Sequence, residues 1–537
     1  MSVSQPPTRS GMPFTEARSC KEWLNALPLT NIPQAQALVL DSLRGLNQGD
    51  FDALERLKCM ELMRDKIAFL QGEQRSRYFG KSLPLSANDN TAWNTGRTLL
   101  EEMEAGYRAC LPDAAHNAAL APHAALIAQR VTRYIGAQML FHAAVYRRFD
   151  PALWTRLHQQ YQQAEAAGVA TEAVKDSLEG TDDGISSPVD AYVQVVLIQA
   201  AYLSEMTAPQ MDFAEALLRM WVRKVRVLAS PKEGAAPAIH PLVVDFDKPI
   251  GARPVAHADL AGQHRIFDME GISLSLRKRI HGLQNEEEPA ALGLPPQSSG
   301  LDPLSQMQRL HKLWCEGAPP RPPAKESDVK AAGLVFGIAD IHFFVTGGKI
   351  FEQPDRKREL TRQEKQDIEV FGQVTSRTQN RMMAEHNFTV ESWPVIDEMR
   401  GAWRVQRPAS TSKGVAIGRL VAMRMGDAAP FFLGMVSALS QETDGRIIIT
   451  ITLFPGRPEA VPLRAADSRN RANAKWVEAF RLPPLEKANI PASLVVPNGV
   501  ASRGRGIELW LSDGNTKETT VYEMLEHGTD FDRITTF

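Results

Sequence analysis

Hydrophobic positions along this chain follow two regimes. From Glu16 to about Leu228 they recur every three to four residues. Phe51, Leu54, Leu57, Met60, Met63, Ile67 and Leu70 form such a stripe, with Glu55, Arg56, Lys58, Glu61, Arg64 and Asp65 between them, the pattern of an amphipathic helix. Earlier in the chain, Asn31 and Pro33 supply a cap and an early proline before the stripe Leu38, Val39, Leu43 and Leu46. Further helices are expected over 93–110, 123–148, 151–167, 188–206 and 211–227. Short connections favour an antiparallel helical array. The alternating helix pairs leave a solenoid open as an arrangement, though no strict repeat is present.

The pattern changes near Ser230. Strand-like runs at 242–247 and 264–268 precede a basic helix over 274–283 and another helix over 304–314. Pro319-Pro-Arg-Pro-Pro323 reads as a stiff linker. Val335, Ile338, Ile341 and Val345 give one more helical stripe. Beyond residue 400 the spacing is that of strands: 402–405, 414–417, 420–423, 431–438, 446–454, 493–496, 506–511 and 519–526. Asp444-Gly445 is a hairpin turn between two of them. The expected fold class is α+β multidomain. A tail over 1–16 and an all-α helical domain over 17–229 come first. A small mixed middle segment over 230–350 and a charged linker or helix over 351–390 follow, and an antiparallel β-barrel over 391–537 closes the chain.

Composition adds constraints rather than chemistry. The 537 residues carry a formal charge of −2, which gives no global attraction to nucleic acid or to an anionic membrane surface. Cys20, Cys59, Cys110 and Cys315 lie far apart with no CxxC pair, so reduced structural thiols and a cytoplasmic location are expected. The N-terminus lacks a signal-peptide core. The most apolar run, 191–204, contains Gln194 and Gln199 and is shorter than the about 20 residues a spanning helix needs. His123, His142, His281 and His342 have no second ligand at metal spacing. No HExxH, GxSxG, Walker loop or strand-linked GxGxxG occurs, which points away from an enzyme; no catalytic residue, metal or cofactor is expected.

One constellation carries chemistry. Arg377-Thr-Gln-Asn-Arg381 is followed, some thirty residues later, by Ala409-Ser-Thr-Ser-Lys-Gly414. Gly434-Met-Val436, the Asp444-Gly445 turn and Ile449-Thr-Ile-Thr-Leu-Phe454 then come in order. This arrangement resembles a degenerate PilZ domain, whose signature runs Arg-x-x-x-Arg, a spacer, then Asp/Asn-x-Ser-x-x-Gly leading into a β-barrel. The resemblance covers roughly 375–470, and the whole chain is similar to PilZ-containing proteobacterial proteins with a helical N-terminal half. It implies that the barrel is PilZ-like and that the ligand is cyclic di-GMP, held by Arg377, Arg381, Ser410, Thr411 and Gly414.

Guanidinium can fork onto phosphate or onto guanine O6 and N7, which is what such a ligand presents. The pattern departs at Ala409, where a carboxylate or amide is expected; Arg404 and Arg407 stand nearby as compensating cations. The reading that follows is a cytoplasmic regulator that binds cyclic di-GMP through the barrel and signals to a protein partner through its helical domain. The alternative is a helical adaptor or scaffold whose barrel no longer binds nucleotide.

Overall fold

The computed structural model describes residues 12–112, 117–178, 183–230, 239–258, 260–317, 325–354, 362–371, 388–399, 401–411, 413–426, 429–466, 475–511 and 513–537. The chain divides into two compact units, 1–321 and 322–537.

The first unit is built on α1 (Ala17–Asn25), α2 (Ile32–Gln48), α3 (Ala53–Arg75), α4 (Ala87–Arg108), α5 (Ala124–Ala143), α6 (Ala152–Ala166), α7 (Pro188–Ala200) and α8 (Ala208–Trp221). Their starts follow local chemistry. Asn31, Asp52, Ser86 and Ser187 each accept a backbone N–H of the first turn, and Pro188 sits where its missing N–H costs nothing. Two helices end earlier than their apolar periodicity suggests. Tyr146 and Tyr202 adopt left-handed backbone at φ 55°, and the Tyr146 hydroxyl donates to the Met206 carbonyl at 2.9 Å, tying the two ends together. Cys20 on α1 and Cys59 on α3 lie close together in the core, and all four cysteines are buried with no disulfide among the described residues.

Strands β1 (Val174–Lys175) and β2 (Ile185–Ser186) form a two-stranded ladder between α6 and α7. The expected middle segment over 230–350 is divided: its part up to 317 belongs to the helical unit, and its part from 325 opens the second unit. Strands β3 (Arg226–Leu228), β4 (Leu242–Asp245), β5 (Arg253–Pro254) and β6 (His264–Asp268) make a four-stranded antiparallel sheet in the order β3-β6-β4-β5. Helices α9 (Glu270–Gln284) and α10 (Pro303–Cys315) follow, and the buried Trp314 of α10 donates its indole N–H to the Leu197 carbonyl of α7 at 2.9 Å.

The second unit opens with β7 (Lys325–Glu326), β8 (Ala331–Phe336), α11 (Ile338–Val345) and α12 (Arg362–Phe371). The helical stripe read over 335–345 is therefore half strand: β8 occupies 331–336, and the helix starts only after Gly337, whose φ is 91°. Strands β9 (Glu391–Met399), β10 (Ala402–Gln406), β11 (Leu420–Arg424), β12 (Phe432–Gln441) and β13 (Ile447–Leu453) come next. Because β9 pairs with both β8 and β10, the six strands β8-β9-β10-β13-β12-β11 close on themselves, and β7 prolongs β8 along the same edge of β9. Residues 414–417, read as a strand, are loop apart from a single bridge residue at Val415.

A second closed antiparallel barrel, not foreseen from the sequence, follows. Strands β14 (Glu459–Ala465), β15 (Val477–Leu482), β16 (Ser493–Pro497), β17 (Gly506–Trp510), β18 (Thr516–His527) and β19 (Phe531–Thr536) pair in the order β14-β15-β16-β19-β18-β17. Strand alternation joins the two barrels. Leu420 and Ala422 of β11, Ile341 of α11, Phe480 and Leu482 of β15, Val495 of β16 and Phe531 of β19 share one buried cluster. Ala479, Leu494, Val496 and Ile534, the alternating partners, fill the second barrel.

Candidate functional site

Residues 407–419 connect β10 to β11 and contain Ser410, Thr411 and Gly414. Arg407 folds this loop around itself. Its Nη2 donates to the carbonyls of Thr411 at 2.6 Å and Lys413 at 3.1 Å, and its Nε to Lys413 at 3.2 Å. Burial of the guanidinium lowers its pKa, which the nearby Glu391 carboxylate partly offsets. The Thr411 hydroxyl donates to Glu391 Oε2 at 2.6 Å, an oxygen that also accepts the Trp393 indole N–H at 3.0 Å. Lys413 Nζ reaches Asp340 Oδ2 of α11 at 3.1 Å.

The loop's exit is fixed from the second barrel. Arg419 Nη1 donates to the Gly414 carbonyl at 2.8 Å, and its Nε lies 3.7 Å from Asp530 Oδ2. Asp530 Oδ1 accepts the Leu420 N–H at 2.8 Å, and the Thr529 N–H donates to the Gly418 carbonyl at 2.7 Å. Burial pushes the Asp530 carboxyl above its usual range, against the pull of the Leu420 N–H and Arg419. Gly418 has φ 77°, and a Cβ there would stand 3.2 Å from Thr529 Cγ2.

Ser410, Thr411 and Gly414 are thus brought together in one turn, with unequal freedom. Ser410 is exposed, Thr411 is tied to Glu391, and Gly414 contributes its carbonyl to Arg419. Arg377 and Arg381 lie outside the described residues. The chain re-enters at Phe388, whose ring stacks on Phe343 of α11 at 4.3 Å, just before Glu391 begins β9. The two compensating cations are committed elsewhere. Arg404 forks onto Asp397, with Nε at 2.9 and 3.0 Å from its two oxygens, and Arg407 holds the loop carbonyls.

The helical unit contains a second charged cluster that the sequence reading passed over. Arg64 Nη2 donates to Asp176 Oδ1 at 2.6 Å, and Arg130 forks onto Glu61 at 2.8 and 2.9 Å. Arg133 donates to Gln194 Oε1 at 2.6 Å and lies 3.6 Å from Asp176 Oδ2. Burial pushes the Asp176 carboxyl up, but Arg133, Arg64 and Arg130 more than reverse this and hold it well below the carboxylate range. Only the (i, i+3) pair Glu61–Arg64 was visible as a helical spacing; the rest is assembled by tertiary packing.

The comparisons with known proteins bear on both units. Residues 18–232 match the family model described as "Cyclic-di-GMP receptor FimW, N-terminal domain". The chain as a whole is similar to the Cyclic-di-GMP receptor FimW of Pseudomonas aeruginosa, with 20% identity over 542 residues, covering 94% of this chain and 88% of that protein. No solved structure gives a significant match. Among the described residues no helix is long and apolar enough to cross a membrane.

Proposed function

We propose that this protein is a cyclic di-GMP receptor. The ligand is held at the rim of the first barrel, between the turn Ser410–Gly414 and the arginines Arg377 and Arg381 of the segment entering β9. The observation that carries the reading is the similarity to a protein named as a receptor for that ligand, which extends over 94% of the chain and so includes the barrels as well as the helices. The geometry of the turn supports it. Six residues lie between Arg381 and Phe388, and the seven Cα steps reach up to about 24 Å when extended, a length of chain that supports Arg381 approaching the turn. The phosphates fall to Arg377 and Arg381 because Arg404 and Arg407 are already engaged. Ser410 offers an exposed hydroxyl. The barrel acts as a PilZ-like module, and the helical unit, in the cytoplasm, passes the signal to a protein partner.

Calorimetric titration of the full chain with cyclic di-GMP tests this. Micromolar binding is expected, and the Arg377→Ala/Arg381→Ala double variant removes two charge-assisted contacts of about 1.5–3 kcal/mol each, weakening it at least a hundredfold. Unchanged affinity in that variant would move the site elsewhere. Absence of heat from a folded chain would leave the helical adaptor, the reading favoured by Ala409 and by the Glu391 carboxylate that occupies Thr411.

A further inference from the structure

The helical unit holds a groove of about 330 Å³, within the range of small-molecule sites. It runs between α3, α5, α7 and α8. From Arg64 to Arg75 α3 advances about 16 Å at 1.5 Å per residue. Alongside it, α5 runs in the same direction. Arg64 and Arg133 meet at Asp176 at one end, and Tyr78, just beyond α3, packs on Phe141 at 5.0 Å at the other. Between these ends the wall is apolar: Ile67, Ala68, Tyr134, Ala137, Leu140 and Ile198 all line it.

The two ends differ. At the far end Arg75 is neutralised by Asp212, at 2.5 Å, and lies flat over Phe79. At the near end the Arg64 side chain is 95% buried (5% exposed) and lines the groove. Its Nη2 is bonded to Asp176, while its Nε is buried with no hydrogen-bond partner among the described residues. A buried guanidinium N–H without an acceptor costs free energy that an anionic oxygen would recover. Gln194, whose Oε1 accepts from Arg133, lines the same groove.

We propose that this groove binds a small amphiphile, an apolar chain ending in a carboxylate, with the carboxylate at Arg64 and the chain laid along α3 and α5. The volume suits a single medium-length acyl chain, and a half-open apolar channel closed at one end by the buried guanidiniums of Arg64 and Arg133 discriminates for a charged head on an uncharged tail. The site is in the other unit from the cyclic di-GMP turn and stands or falls separately from that reading.

The test titrates the full chain with decanoate and with decan-1-ol, which share a tail and differ in the head. Decanoate is expected to bind with one-to-one stoichiometry and at least tenfold more tightly than the alcohol. Ala137→Phe, which fills the channel without touching Arg64, removes binding of both. Arg64→Gln brings the two ligands to similar affinity. Should that variant fail to fold, the alcohol comparison and Ala137→Phe decide. No heat with decanoate, equal affinity for the alcohol, or full binding to the Ala137→Phe protein each overturns the proposal.

Discussion

Single residues here do work that their type alone does not announce. His342 on α11 looks like an ordinary helical histidine, yet it is buried with Nδ1 lacking a hydrogen-bond partner, its ring edge-on to Phe351 at 5.3 Å. Burial lowers its pKa to about 4 from an ordinary 6.5. The unfolded chain therefore takes up a proton, between those values, that the folded one refuses. Stability is full above about pH 6.5 and falls as pH drops towards 4, by about 2 kcal/mol between neutrality and roughly pH 5. Urea unfolding of the barrel unit at those two pH values should show His342→Leu losing less than the parent; equal losses would clear the histidine. The same scale shows why the site was only partly legible. Ser410, Thr411 and Gly414 could be picked out as a polar turn, but the partner of Thr411 is Glu391, 20 positions earlier in the chain, and nothing in local spacing points to it. That Arg404 and Arg407 are spent on Asp397 and on loop carbonyls is likewise a fact of strand register and turn closure.

At the level of elements, periodicity served the helices and failed selectively among the strands. Runs such as Ile447–Leu453 announce themselves because β-branched residues dominate and a Gly445 turn at φ 86° precedes them. Strand β9 hides because Pro394 interrupts it; the ladder survives since Pro394 faces Ala331 while the next residue, Val395, donates to the Lys330 carbonyl at 3.0 Å. Strand β14 carries Pro462 in the same way. Strand β8 was absorbed into a helical stripe because Val335 is buried in the same inter-barrel cluster as Ile341 of the following helix, so spacing alone does not separate them. The junction that results is specific. Gly418 is in left-handed backbone and stands against Thr529, so Gly418→Ala combines strain with a clash and should cost about 1–3 kcal/mol. Asp530→Ala, which leaves the Leu420 N–H without its acceptor, should cost a similar amount, while Asp530→Asn keeps an acceptor and should cost less. Thermal denaturation of the three variants orders them; an Asp530→Asn loss as large as that of Asp530→Ala would show that charge, not the hydrogen bond, holds the junction.

Over the whole molecule, the boundary drawn by similarity and the boundary drawn by packing differ. The matching family model stops at 232, just past β3, whereas the compact first unit continues to 321. The continuation is structural. Strand β3 has β6 as its ladder partner, through pairs such as Val227–Phe267, and Phe267 packs against Tyr192 of α7 at 6.2 Å. His158 on α6 bonds the Ile250 carbonyl at 3.0 Å, and Trp314 bonds Leu197. Cutting at 232 uncovers Tyr192 and leaves the Leu197 carbonyl and β3 without partners, each an exposed apolar face or an unsatisfied polar group. The stretch Pro319–Pro323, expected to be a stiff linker, lies outside the described residues, and the boundary between the two compact units falls within it. Expressed separately, 1–317 and 325–537 should therefore each unfold cooperatively in a calorimeter, and the second piece should keep the cyclic di-GMP affinity of the full chain. The fragment 1–232 should melt at markedly lower temperature than 1–317, or aggregate through the uncovered face of α7. A 1–232 fragment as stable as 1–317 would mean that the sheet and the last two helices of the unit decorate a helical array complete without them.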